Sequence, residues 1–123
     1  MGNDPIAVVR AFCDAWSRRD PEEIAGWFTD DGVYHNIPME PAKGRGQILN
    51  LLRFILAPAQ KVEFEIKALA AAGTIVFTER VDRFEMAGKQ VELPVAGVFE
   101  VEGDKIRAWR DYFDLATWTK QTT

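Results

Sequence analysis

Three short patterns place acids beside groups that control protons: Tyr34-His35-Asn36, Arg80-Val81-Asp82, and Trp109-Arg110-Asp111-Tyr112-Phe113. Side chains alternate faces along a strand. Arg80 and Asp82 therefore project together, from a run that also offers Val76, Thr78 and Phe84. Asp111 shares its face with Trp109 and Phe113. Tyr34 shares one with Asn36, while His35 points the other way. If these faces meet, one interior holds two carboxylates and one guanidinium. A buried charge costs roughly several kcal/mol unless it is paired. Arg80 balances one aspartate, so the other keeps a proton at neutral pH. An acid and a base would then share one pocket, the requirement for general acid–base chemistry.

Taken singly, each pattern has a plainer reading. Arg80-x-Asp82 reads first as an ordinary core ion pair. Asp111 alone fits an edge strand, and Tyr34-x-Asn36 alone fits a turn exit. His35 reads as a surface or structural hydrogen-bonding residue. Tryptophans such as Trp16, Trp27, Trp109 and Trp118 are more often core than ligand cage. The joint pattern is what points to chemistry.

The elements that must position these residues are legible in outline. Asp4-Pro5 is a helix start, and Ile6, Val9, Phe12, Cys13 and Trp16 recur at helical spacing, which predicts a helix over 5–18. Asp20-Pro21 opens a short second helix running to about Phe28. Asp30-Asp31-Gly32 reads as a turn and 33–37 as extended. A third helix is predicted over 44–56, with Ile48, Leu51, Leu52 and Ile55 on one side. Strands follow over 61–71, 74–86, 90–102 and 105–114, then a short helix over 115–119. Pro94 and Gly97 predict a bulge or bend in the third of these strands. Ile75, Phe77 and Val81 face away from Arg80, towards either a partner or a helix-covered core. Helices followed by antiparallel strands predict an α+β domain over 1–123, a strongly curved sheet with helices on one face. Its apolar interior is a natural pocket. The side chains expected to line it are Trp16, Ile55, Phe84, Leu93, Val95, Trp109, Phe113 and Trp118.

Composition narrows the function classes. The chain of 123 residues is 47% hydrophobic, enough for a core without staples, and carries a net charge of −4. That balance argues against a nucleic-acid partner. The single Cys13 forbids an internal disulfide and suits a reducing cytoplasm. The opening MGNDPIAVV has no signal-peptide pattern, and no apolar run is long enough to span a membrane. His35 stands alone and Cys13 has no CxxC partner, so no metal is expected, although composition leaves an all-carboxylate magnesium site open. GxGxxG and GxxxxGK[ST] are absent, so no nucleotide cofactor is expected.

Four stretches carry a family resemblance: Tyr34-His35-Asn36-Ile37-Pro38, Thr78-Glu79-Arg80-Val81-Asp82, Gly97-Val98-Phe99, and Trp109-Arg110-Asp111-Tyr112-Phe113-Asp114-Leu115. In order and spacing, across nearly the whole chain, the sequence closely resembles limonene-1,2-epoxide hydrolases. The resemblance implies a cystatin-like cone, shared with nuclear transport factor 2, ketosteroid isomerase and SnoaL-type cyclases, in which helices pack on the concave face of a mixed sheet. It implies a cofactor-independent opening of a small apolar epoxide by water, and a homodimer. It implies Asp111 as the general base, Tyr34 and Asn36 as holders of the water, Asp82 as the acid and Arg80 as the bridge between the carboxylates. The turn at Ala87-Gly88-Lys89 looks shorter than in the limonene enzyme, and Phe84 and Trp16 look bulkier, which bears on the substrate. Two other functions fit the same cone. One is an isomerase or cyclase that abstracts a carbon-bound proton with a single aspartate. The other is a non-catalytic module that binds small apolar ligands.

Overall fold

The computed structural model describes residues 4–123; the first residues of the opening whose leader pattern was read, 1–3, lie outside the described residues. The Asp4 side chain accepts a hydrogen bond from the Ile6 amide at 3.0 Å and starts α1, Pro5–Ala15. Its inner side buries Val8, Val9, Phe12 and Cys13. The predicted helix is tightened at its end: Trp16–Arg18 form a 3-10 turn, and Arg19 stops it in the left-handed region at φ 55. Asp20 then caps α2, Pro21–Ala25, through the Glu22 amide at 3.1 Å. Strand β1 spans Phe28–Asn36, β2 is the short Ala42–Lys43, and α3 is Gly44–Leu56. Four long strands follow: β3 Ala59–Ala72, β4 Ile75–Met86, β5 Lys89–Glu102 and β6 Lys105–Tyr112. Helix α4, Leu115–Thr122, closes the described chain and is longer than the predicted 115–119.

The sheet order is β2-β1-β6-β5-β4-β3. Every neighbouring pair is antiparallel except β1 and β6, which run parallel, so the sheet is mixed as expected. Helices α1 and α3 pack against it. The predicted turn at Asp30-Asp31-Gly32 is absorbed as an irregularity inside β1. Between Phe28 and Val33 the strand advances much further than its partner does between Ile106 and Ala108. No bulge falls at Pro94 or Gly97 in the ladder with β4, since β4 and β5 pair without a shift from Ile75–Glu100 to Met86–Lys89. Pro94 fits because β6 pairs with β5 only from Ala96 onward. By the alternation of the ladder its missing N–H faces the side that β6 leaves empty.

The core centres on Phe12. Its ring meets Trp27, Phe28, Phe99 and Trp109 edge-on, with centroids 5.0–6.3 Å away. Cys13 is buried and unpaired. On the opposite sheet face Phe77 is exposed, and Ile75 and Val81 are half-buried, so these residues face outward and not towards a helix-covered core. Among the described residues no helix is long and apolar enough to cross a membrane.

The β4–β5 hairpin turns on Ala87 and Gly88 alone, both with positive φ, 51 and 78. That is the pattern of a type I′ turn, which Asn-Gly adopts at less strain than Ala-Gly. Ala87→Asn is expected to stabilise the fold by about 1 kcal/mol. Urea unfolding measures this directly, and an unchanged or lower midpoint would contradict the assigned turn strain.

Candidate active site

Register brings the chemistry-bearing residues together. In β4 the buried positions are Val76, Thr78, Arg80, Asp82, Phe84 and Met86. In β6 they are Ile106, Trp109 and Asp111. The parallel pairing of β1 and β6 sets Tyr34 beside Trp109 and Asn36 beside Asp111. Antiparallel pairing then sets Asp111 beside Gly97, and Gly97 beside Thr78. A single row across four strands therefore reads Asn36, Asp111, Gly97, Thr78. A side chain at Gly97 would place its Cβ 2.6 Å from Asp111 Oδ1 and against Arg80 Nη1. The glycine is a slot for the guanidinium, not a break in the strand.

Arg80 fills that slot and uses all three of its nitrogens. Nε donates to Asp82 Oδ1 at 3.0 Å and Nη2 to Asp82 Oδ2 at 2.9 Å. Nη2 also reaches Asp111 Oδ2 at 2.7 Å, and Nη1 reaches Asp111 Oδ1 at 3.2 Å. Nη1 donates in addition to Thr78 Oγ1 at 3.0 Å. Each carboxylate is thus held by two parallel bonds, the geometry in which arginine binds most firmly. The Trp109 indole N–H adds a third donor to Asp111, on Oδ1 at 2.6 Å. The rings of Phe64, Phe99 and Trp109 surround the guanidinium, 5.1–5.7 Å from its central carbon. The Arg80 side chain has no exposure, and those of Asp82 and Asp111 have 5% and 4%.

Burial decides the electrostatics. It pushes Asp111 up to about 6; Arg80 opposes the rise, and the charge of Asp82 adds to it. Burial also raises Asp82 above its ordinary value against the pull of Arg80. Burial works against the charge on Arg80 as well, but Asp111 and Asp82 outweigh it and keep the guanidinium protonated. Tyr34 is pushed well above the usual phenol range by burial and then by Asp111, with Asn36 acting in the opposite direction. The carboxylates share one cation, so their protons belong to the pair.

Beyond the acids lies a cavity of about 570 Å³. Tyr34, Asn36, Asp82 and Asp111 form part of its wall, and Arg80 lies behind the carboxylates. Of the expected apolar lining, Trp16, Ile55, Phe84, Leu93, Phe113 and Trp118 are in place. Two expectations are corrected. Val95 is buried beside Arg80 and borders a separate cleft with Lys67 and Pro94. Trp109 is covered by Tyr34, stacked on it at 4.3 Å, and by Phe99 at 5.4 Å, so it touches Asp111 and not the cavity.

The chain has close counterparts among known proteins. The limonene-1,2-epoxide hydrolase catalytic domain matches residues 3–123. The chain belongs to the limonene-1,2-epoxide hydrolase family. By class it is an epoxide hydrolase. The epoxide hydrolase EphG of Mycobacterium tuberculosis is 36% identical over 110 residues, which span 88% of this chain and 72% of that protein. A solved M. tuberculosis structure, of a limonene-epoxide-hydrolase-like epoxide hydrolase, superimposes with a TM-score of 0.82. It is 33% identical and covers 95% of this chain and 87% of its own. A SnoaL-like polyketide cyclase from Shewanella putrefaciens CN-32 shares the fold, with a TM-score of 0.86 at 15% identity, covering 98% and 97% of the two chains.

For a member of this family, several cavity residues escaped the sequence reading. Phe64 stood in plain view on the alternating face of β3. Leu51 and Phe54 belong to α3, and Met39 to the loop after β1. Met86 and Val91 flank the β4–β5 hairpin, and Gln121 comes from α4. The Trp16 indole nitrogen, also at this wall, is the one buried side-chain polar atom without a hydrogen-bond partner among the described residues.

The raised Asp111 has a consequence for stability. Between an ordinary carboxylate value and about 6, the native state holds a proton that the unfolded chain has lost. Native stability therefore falls as pH rises through that window. Asp111→Asn removes the effect. From pH 4 to pH 8 the stability difference between variant and parent should move in favour of the variant. Urea unfolding at both pH values reads the change, and a difference independent of pH would refute the raised carboxyl.

Proposed function

We propose that the protein opens an apolar epoxide to a vicinal diol in a single step, with no covalent ester and no cofactor. The observation that carries this reading is one guanidinium shared by two buried carboxylates at the wall of an apolar cavity. The group holds one cation and two acids, so neutrality requires one proton on the pair. The two aspartates are not equivalent. Asp111 accepts the extra bond from Trp109, which favours its ionised form. The charge of Asp82 pushes the other way, by raising Asp111; the proton is assigned to Asp82 because only then can Asp111 act as the base.

A water held between Tyr34, Asn36 and Asp111 is already oriented before reaction, which removes an entropic part of the barrier. Its oxygen attacks an epoxide carbon as the C–O bond breaks. Asp111 takes the water proton, and Asp82 gives its own to the leaving oxygen. The step ends with Asp111 neutral and Asp82 ionised, and transfer of a proton back between them restores the starting state. The aromatic shell excludes water, which strengthens each of these polar contacts. The exposed Phe77 and Tyr112 on the outer sheet face fit a second copy of the chain, as the resemblance to the family implies.

Asp111→Asn keeps the shape but cannot accept a proton, and Asp82→Asn is a far weaker acid. Each is expected to lose at least ~100-fold in turnover while remaining folded. In wild type, turnover should fall at low pH as the base gains a proton and at high pH as the pair loses its last one. Epoxide hydrolysis in ¹⁸O-water, followed by mass spectrometry of the diol, measures this. Near-normal activity in either variant, or a profile flat from acid to alkali, would exclude the two-carboxylate mechanism.

A further inference from the structure

Helix α4 buries no residue of its own, yet Trp118, Gln121 and Thr122 form part of the cavity wall. Its attachment is unusual. Strand β6 pairs with β5 only from Ala96, so further back the β5 edge facing that side is unpaired. Gln121 occupies the edge there as a neighbouring strand would. Its Oε1 accepts from the Glu92 amide at 2.8 Å, and its Nε2 donates to the Glu92 carbonyl at 2.8 Å. The same Nε2 donates to the Thr117 carbonyl at 3.0 Å, which ties the side chain to its own helix. One turn earlier, Trp118 meets Phe84 edge-on at 5.4 Å.

The place of this contact matters for the reaction. Phe84 is the next inward residue after Asp82 on β4, about 7 Å along the strand at ~3.3 Å per residue. Leu93 pairs with Asp82 and Val91 with Phe84, and Glu92 lies between them. The Gln121 clasp therefore sits abreast of the segment of cavity that receives whatever a substrate carries beyond the epoxide. We propose that Gln121 is a specificity-determining positioning residue: by completing the hydrogen bonds of Glu92 it fixes α4, and so sets how long a substrate tail the cavity accepts. Gln121 acts through Trp118 as well as through its own place on the wall, and takes no part in proton transfer.

This rests on the hydrolase reading above, and its test separates the two. Terminal 1,2-epoxides of short and long chain, 1,2-epoxyhexane and 1,2-epoxydodecane, serve as probes with wild type, Gln121→Ala and Gln121→Glu. The glutamate keeps the acceptor but loses both donated bonds. In Gln121→Ala, hydrogen exchange should accelerate over Leu115–Thr122 and at the Glu92 amide, and stay unchanged in β4 and the rest of β5. The ratio of kcat/KM for the long over the short epoxide should rise about tenfold, through KM, with kcat within about twofold and the pH profile unmoved. Gln121→Glu should fall between the two. An equal loss for both epoxides, or unchanged exchange in α4, would overturn the proposal. If wild type opens neither epoxide, the hydrolase reading fails. The exchange data and calorimetric binding of 1,2-hexanediol and 1,2-dodecanediol then decide the role of Gln121, since the same shift towards the longer chain is expected.

Discussion

The sharing of Arg80 between Asp82 and Asp111 is the constraint on which the rest of the structure depends. A buried guanidinium needs its charge balanced and its N–H groups satisfied. Two carboxylates do both, and they overshoot the balance by one negative charge. The overshoot is tolerable only if a proton stays in the group, and that proton is the resource available for acid catalysis. The surroundings follow from this. Gly97 gives up a side chain to admit the guanidinium, and Thr78 takes a remaining N–H. Phe64, Phe99 and Trp109 close over the cation and keep out water that would let both acids ionise freely. Lysine would not replace arginine here, because a single ammonium cannot hold two carboxylates by paired bonds.

Such a group can be assembled only by contacts distant in sequence. Asn36 and Asp111 meet because the first strand and the last run parallel, and the Ile37 amide extends the pairing to the Asp111 carbonyl at 2.9 Å. Their pairing closes a loop that spans most of the chain, an entropic cost that local contacts do not carry. The irregularity in β1 between Phe28 and Val33 serves this end. It lets Phe28 stay against Phe12 in the core while Tyr34 and Asn36 come into step with Trp109 and Asp111. The local turn signal at Asp30-Asp31-Gly32 was real chemistry; long-range pairing absorbed it into a strand.

This explains what was legible beforehand. Alternation alone put Arg80, Asp82 and Asp111 on inward faces, because a strand has only two faces and the apolar neighbours mark the inner one. It could not report depth or cover. Val95 and Leu93 share a face, but Val95 pairs with Arg80 and Leu93 with Asp82, and only the latter reaches the cavity. Trp109 is inward too, yet Tyr34 from another strand lies over it. Gly97 read as a break because its reason, a guanidinium from a different strand, has no local trace. Gln121 was invisible for a similar reason: its partner exists only because β6 stops short of Glu92.

The cavity divides its labour unevenly, and that follows from the same constraint. Four of its polar groups gather where β1, β4 and β6 bring Tyr34, Asn36, Asp82 and Asp111 together, while most of the remaining wall is apolar. Apolar contact is non-directional, roughly 25 cal/mol per Å² buried, so it holds a substrate without orienting it. In the mechanism proposed above, orientation comes from the hydrogen bond that Asp82 offers and from the position of the water. An epoxide oxygen is a good match for such a wall, since one acceptor satisfies the one donor that the charge balance leaves. A substrate with further polar groups would leave them unpaired against Phe84, Leu93 or Trp118 at about 1–3 kcal/mol each. On the proposed mechanism, the surplus acid that serves the chemistry also favours substrates with little polarity beyond the epoxide itself.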